Sequence, residues 1–199
     1  MFHTTKHRLT ACAAAAVLVG TGAAVSGDMT TAPAQAAAKA PVSRAQTVVG
    51  PISEPGQVSV AYCPADMRVL NGGYNSITFS ESNGGEPYDA VRMDAPTMDG
   101  KGWVANLMTG KIQARAVCVP EAEAPRVAVG PTSNDHSDSD AYCPNGTNVI
   151  GGGFIAQTWS RNGYGESQDD VTANAPIASG KGWYARQFAA KVQARALCS

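Results

Sequence analysis

Small or apolar residues alternate with polar ones near the end of each half of the chain. Between Lys111 and Cys118 every second position is small or apolar, while lysine, glutamine and arginine lie between them. A period of two places the apolar residues on one face of an extended strand. The apolar face comprises Ile112, Ala114, Ala116 and Cys118, and Val192, Ala194, Ala196 and Cys198 repeat it. This pattern predicts a half-buried β-strand that occurs twice.

Short strands also explain the rest of the first half. We predict them at 57–63, 68–75, 89–94 and 102–108, because turn residues separate these segments. The 21 glycines and 12 prolines of the chain fit many turns. No segment beyond the N-terminus has a convincing helical period. The predicted fold class is therefore all-β, with short antiparallel strands in a sandwich-like or prism-like arrangement.

The chain contains an internal duplication. A shift of 80 positions lays residues 49–118 over 129–198 without an insertion. Both copies contain Ala-Tyr-Cys-Pro, Gly-Gly-aromatic, Ala-Pro, Gly-Lys-Gly-Trp and Gln-Ala-Arg-Ala in the same register. We predict two tandem homologous β units, repeat 1 at 47–119 and repeat 2 at 127–199, joined by a linker at 120–126.

The N-terminus has the features of a secretory signal. A basic segment, Lys6 to Arg8, precedes an uncharged Ala- and Gly-rich stretch, and Ala34-Gln35-Ala36 fits a cleavage site. We predict a signal peptide at 1–36 and a flexible leader at 37–46. The stretch has too few large apolar residues for a membrane anchor. The mature protein is then secreted and extracellular, with no membrane span after signal cleavage.

Four of the five cysteines remain after that cleavage, and in an exported chain they indicate two disulfides. Four cysteines allow three pairings, and a repeat that closes on itself gives Cys63–Cys118 and Cys143–Cys198. Each bridge stabilises the fold by roughly 4 kcal/mol in the chain-entropy model. The equivalent Trp103 and Trp183 are then either core residues over the disulfides, the favoured interpretation, or ligand platforms.

Composition limits the chemistry. A formal net charge of -1 excludes a generic nucleic-acid binder, which needs a basic surface. The one histidine of the mature chain, His136, lies in the polar loop 133–140 opposite Gly56 of the first copy, a poor place for a triad base. With the cysteines oxidised, we expect no metal site and no cofactor. Calcium binding by the aspartates of that loop stays open, although a solvated turn is the favoured interpretation.

Paired acids offer an enzyme hypothesis. Glu86 with Asp89, and Glu166 with Asp169, occupy equal positions in the two copies. Two carboxylates on opposite sides of a sugar are the requirement of a glycoside hydrolase. Acids three residues apart before a strand also cap turns, so hydrolysis is our third hypothesis.

One loop of repeat 2 is the candidate binding site. Trp159, Arg161, Asn162 and Tyr164 combine aromatic rings, a guanidinium and an amide, which suits sugar stacking or a protein partner. The first copy has Phe79, Glu81, Ser82 and Gly84 at these positions. We expect a secreted, non-catalytic binding protein for a glycan or a cell-envelope surface, not an enzyme. The alternative is an extracellular protein-binding or protease-inhibitor protein.

The order Tyr-Cys-Pro, Gly-Gly-aromatic, Ala-Pro, Gly-Trp and Ala-x-Cys resembles tandem disulfide-closed β-repeat units of exported bacterial proteins of unknown function. It covers nearly all of the predicted mature chain. The resemblance implies secretion, a bacterial source and a disulfide-closed β unit, and it implies no catalytic residues.

Overall fold

The computed structural model describes residues 45–81, 89–164 and 169–199. The predicted signal peptide and most of the predicted leader lie outside the described residues. So do Ser82, Gly84, Glu86 and Glu166, which the sequence arguments singled out.

Strands account for nearly all regular structure in the described residues, which confirms the all-β class. One short 3-10 helix, Glu121–Glu123, lies in the predicted linker. The strands of repeat 1 are β1 (Gln46–Ile52), β2 (Val58–Tyr62), β3 (Met67–Thr78), β4 (Val91–Pro96), β5 (Gly102–Leu107) and β6 (Lys111–Pro120). Those of repeat 2 are β7 (Arg126–Val129), β8 (Asp138–Tyr142), β9 (Val149–Ala156), β10 (Val171–Pro176), β11 (Gly182–Gln187) and β12 (Val192–Cys198).

The two copies fold alike. In repeat 1, β6 lies between β1 and β3, and β5 lies between β2 and β4; in repeat 2, β12 lies between β7 and β9, and β11 between β8 and β10. All of these pairings are antiparallel. Strand β4 of repeat 1 also pairs with β9 of repeat 2, which produces a six-stranded sheet of order β2-β5-β4-β9-β12-β7.

Strands β1 and β7 were missed by the sequence argument. Pro51 lies inside β1, and Pro131 follows β7 closely, so both segments read as turns. Among the described strands, both lie at the edge of a sheet and each pairs on one side only. Proline is tolerated there because one row of backbone groups needs no partner strand.

Each repeat is closed by its own disulfide, as predicted. Cys63 bonds to Cys118 and Cys143 to Cys198, each pair separated by 55 positions. The predicted apolar face of the last strand is buried in both copies, where it packs against the second sheet of the same repeat.

Buried serines connect the two sheets in the same way in each repeat. The Ser59 hydroxyl donates to the Pro51 carbonyl at 2.6 Å and accepts from the Ala114 amide at 2.9 Å. Ser139 repeats both bonds, with Pro131 and Ala194, at 2.6 and 2.8 Å. Because buried polar groups must be satisfied, this repetition marks the serines as part of the scaffold.

The contact between the repeats, which we call the junction, uses different surfaces of the two copies. Strand β4 docks onto β9 through the pairs Met93–Ile155 and Asp94–Phe154. The side chain of Leu197, on the opposite face of β12 from its own core, belongs to the core cluster of repeat 1. The described parts of both repeats form one compact body, so a tandem of two independent units is not confirmed.

No helix within the described residues is long and apolar enough to cross a membrane.

Candidate functional site

The segment 157–164, which we call the binding loop, begins where β9 ends. Its base is fixed by repeat 2: the amides of Gln157 and Thr158 donate to the Lys191 carbonyl at 2.8 and 3.3 Å. The Thr158 hydroxyl accepts from the Lys191 amide at 3.0 Å, and the Gln187 side chain donates to the Thr158 carbonyl at 3.2 Å. The loop therefore leaves the sheet from a rigid base.

The four predicted binding residues divide into two kinds. Arg161 and Tyr164 are exposed, and the Tyr164 side chain is 92% exposed. Trp159 and Asn162 are half-buried. The Asn162 side-chain oxygen accepts from the Tyr164 amide at 2.9 Å, which is an Asx turn that fixes the direction of the backbone before the tyrosine. Residues 165–168, which follow the binding loop, lie outside the described residues.

The equivalent segment of repeat 1 differs in chemistry. Phe79 is 43% exposed, and Glu81 replaces the arginine. The Ser80 hydroxyl accepts from the Thr109 hydroxyl at 2.8 Å, so this segment is also tied to its own repeat. The two loops therefore share a fixed base and differ in the charge and aromatic group they expose.

One residue that was not predicted from the sequence interacts electrostatically with the binding loop. Arg92, on β4 of repeat 1, has its guanidinium pKa lowered by burial and, secondly, by the positive charge of Arg161. Its Nε atom is buried and has no hydrogen-bond partner among the described residues. The second copy has Thr172 at this position. Arg92 reaches the loop of the other repeat because β4 docks onto β9 at the junction. In the sequence, the difference between Arg92 and Thr172 was the signal that could have marked this residue.

The predicted acids Asp89 and Asp169 are buried acceptors of backbone hydrogen bonds. The Asp89 carboxylate accepts from the amides of Thr109 at 2.9 Å and Gly110 at 2.6 Å. Asp169 accepts from the Ala189 amide at 2.9 Å and from the Gln187 side chain at 3.1 Å. Both carboxylates thus hold the β5–β6 and β11–β12 turns, as the turn-capping interpretation predicts.

His136 occupies a turn position with φ of 59°, matching Gly56 with φ of 69° in repeat 1. Its imidazole Nδ1 contacts the carbonyl of Phe188. In the same loop the Asp138 carboxylate binds the Arg186 guanidinium through two hydrogen bonds of 2.6 and 2.8 Å. No three potential metal-ligating side chains come together in the described parts of the chain.

Trp103 and Trp183 lie between the sheets of their repeats. Trp103 is 1% exposed and stacks on Gly72, where an added Cβ would come within 2.2 Å of the ring. Its indole donates to Asp94 at 2.7 Å, and the Trp183 indole donates to Asn174 at 2.6 Å. Burial raises the pKa of the Asp94 carboxyl, although the indole hydrogen bond opposes this effect. The geometry agrees with the core interpretation, most fully for Trp103.

No family model matches this chain, and no curated protein is significantly similar to it. The two disulfides fit an extracellular protein.

Proposed function

We propose that this chain is a secreted, non-catalytic binding protein whose ligand is a glycan of the cell envelope. The observation that carries the proposal is the exposed end of the binding loop, where Tyr164 and Arg161 project from a fixed base. A phenol ring offers an apolar face for a sugar ring, and a guanidinium offers several fixed donors for its oxygens.

The positive charges at the binding loop favour one class of glycan as the ligand. Burial and, secondly, the positive charge of Arg161 lower the pKa of Arg92. Neither arginine forms an ion pair or a side-chain hydrogen bond within the described residues. Two guanidiniums of this kind favour a ligand with carboxylate or phosphate groups, because such groups accept charge-assisted hydrogen bonds from arginine. The proposed ligand is therefore an acidic envelope polysaccharide.

Binding to immobilised acidic and neutral polysaccharides tests the proposal. We expect binding to acidic chains that weakens as salt rises. Tyr164→Ala and Arg161→Ala should each weaken it at least fivefold, as for central contact residues. Tyr142→Ala is the matched control, since this tyrosine of repeat 2 is 61% exposed and lies outside the loop.

Other outcomes identify other functions. Tight inhibition of a protease without polysaccharide binding would favour the protein-binding alternative. Turnover of a polysaccharide that is abolished by Glu166→Gln would replace the proposal by glycoside hydrolysis. Binding that is unchanged by both loop substitutions would show that the loop is not the binding site.

Secretion is the other part of the proposal. It rests on the signal-like N-terminus and the two disulfides. N-terminal sequencing of exported protein should find a start within a few residues of Ala37. Recovery of the full chain in membranes would contradict it.

A further inference from the structure

The junction joins two kinds of surface, and both repeats possess both kinds. Within the described residues, each repeat uses one of its two surfaces. Repeat 1 contributes the docking strand β4, and repeat 2 contributes a docking surface. That docking surface comprises Val127, Gly153, Arg195 and Leu197. The unused counterparts are the docking strand β10 of repeat 2 and the docking surface of repeat 1, made of Thr47, Gly73, Arg115 and Val117.

Close contacts identify the residues that make the junction. The buried Arg195 guanidinium donates to the Pro96 carbonyl at 2.6 Å. Gly153 lies so close to β4 that an added Cβ would come within 1.9 Å of the Asp94 carbonyl oxygen. Pro96 is almost completely buried. These contacts need a glycine and an arginine on the docking surface, and a backbone carbonyl on the docking strand that accepts the hydrogen bond of the arginine.

The unused surfaces keep these residues. Gly73 and Arg115 stand at the positions of Gly153 and Arg195, and Ala175-Pro176 repeats Ala95-Pro96. An added Cβ at Gly73 would have no neighbour within 4 Å among the described residues. Arg115 and Pro176 are exposed. Within the described residues, Arg115 makes no side-chain hydrogen bond or ion pair.

The docking surface of repeat 1 is also concave. A cavity of about 220 Å³ is lined by Thr47, Asn71, Gly72, Arg115, Ala116 and Val117. Two of the equivalent residues in repeat 2, Leu197 and Val127, pack against the core cluster of repeat 1. The cavity therefore lies at the place that the other copy fills in the junction.

We infer that a second copy of this chain docks its β10 strand onto the docking surface of repeat 1, forming a second junction between molecules. The two surfaces differ, so the contact is head-to-tail, and each added molecule presents a new free strand and a new free surface. Arg115 then donates to the Pro176 carbonyl, as Arg195 does to Pro96.

The association is weaker than the internal junction. There, Ala95, Val104 and Ile155 form a small apolar cluster with Val60 and Met93. The corresponding residues of the free surfaces are Ala175, Tyr184, Asn75, Asp140 and Ala173. Polar residues keep both surfaces soluble in the free molecule, and they reduce the apolar area that docking buries. We therefore expect reversible association at high protein concentration.

Sedimentation velocity of the chain, expressed from its full sequence and purified, tests this from about 10 μM to about 1 mM. The wild type should form species that grow beyond the dimer. Gly73→Val and Arg115→Glu should each weaken association at least tenfold without unfolding the monomer. Lys101→Glu is the control for charge, because Lys101 is exposed and lies outside both surfaces.

A mixing experiment tests the head-to-tail geometry. Gly73→Val blocks the docking surface and leaves β10 intact, whereas Ala175→Glu blocks β10 and leaves the surface intact. Each variant alone should stay monomeric, and a mixture of the two should form a heterodimer and nothing larger. A wild type that is monomeric at about 1 mM would overturn the inference. So would association that both blocking variants retain, or a mixture that stays monomeric.

Discussion

Gly153 and Gly73 belong to the same motif in two copies of one repeat and pair with equivalent strands, yet an added side chain would meet different surroundings at each. Gly153 touches the backbone of the other repeat, whereas Gly73 faces open space among the described residues. The same contrast holds for Arg195 and Arg115, and for Pro96 and Pro176. A residue shared by two copies can therefore be structural in one copy and available for binding in the other. Matched substitutions in the two repeats measure that difference.

Loss of a disulfide should have the largest effect and should be equal in the two repeats. Each bridge joins cysteines with a sequence separation of 55. The double variants Cys63→Ala/Cys118→Ala and Cys143→Ala/Cys198→Ala should each lose about 4 kcal/mol of unfolding free energy. Urea denaturation measures both. A much smaller loss for one bridge would mean that its repeat is held mainly by the other copy.

Substitution of the two glycines should have the most unequal effect. Gly153→Ala places a methyl group against the Asp94 backbone, which cannot move without disturbing β4, so we expect a loss of about 1–3 kcal/mol. Gly73→Ala should change the unfolding free energy of the monomer by less than about 0.5 kcal/mol. Equal losses in thermal or urea denaturation would show that Gly73 is also packed.

Arg195 and Arg115 allow the same comparison between the junction and the free surface for a charged side chain. Arg195→Met removes a charge-assisted hydrogen bond to the Pro96 carbonyl and should cost about 1.5–3 kcal/mol. Arg115→Met, at an exposed position, should change stability by less than about 0.5 kcal/mol. Urea denaturation at low protein concentration, where the monomer prevails, checks both. A stable Arg195→Met variant would mean that desolvation of the guanidinium cancels its hydrogen bond.

The smallest expected effect concerns Asp94 and its counterpart Asn174. Burial raises the pKa of Asp94 above its ordinary value of 3.8, so the folded state binds its proton more tightly than the unfolded state does. Stability then falls as pH rises from about 3.8 through the folded pKa, and the loss persists above it. Asp94→Asn keeps an acceptor for the Trp103 indole and should be slightly more stable than wild type at pH 7.

Denaturation of this variant at two pH values completes the comparison. The gain should disappear near pH 3, where wild-type Asp94 is protonated in both states. Asn174→Asp is the control, because its position is exposed and a carboxylate there keeps its water. A gain of Asp94→Asn that is equal at both pH values would have another cause than burial of the charge.

The features of the fold that depend on one repeat alone could be predicted from the sequence. Alternation along β6 and β12 predicted buried strand faces, and the repeat register predicted the disulfides, because both features depend on one copy alone. Strand β1 was not predicted, since Pro51 resembles a turn until its edge position is known. Arg92 and the junction were not predicted either. Both depend on which of two equivalent surfaces docks. The shared motifs do not distinguish the surfaces, and the signal lies in positions where the copies differ, such as Ile155 against Asn75.

The apolar cluster at the junction has a consequence for the order in which the chain is made. Ala95 and Val104 are synthesised before Ile155, which covers them. The first half of a nascent chain therefore exposes this patch until about fifty further residues have emerged. Fragments that end near the linker should aggregate or require chaperones. Export of the chain in an unfolded state would delay exposure of the patch until both halves are present.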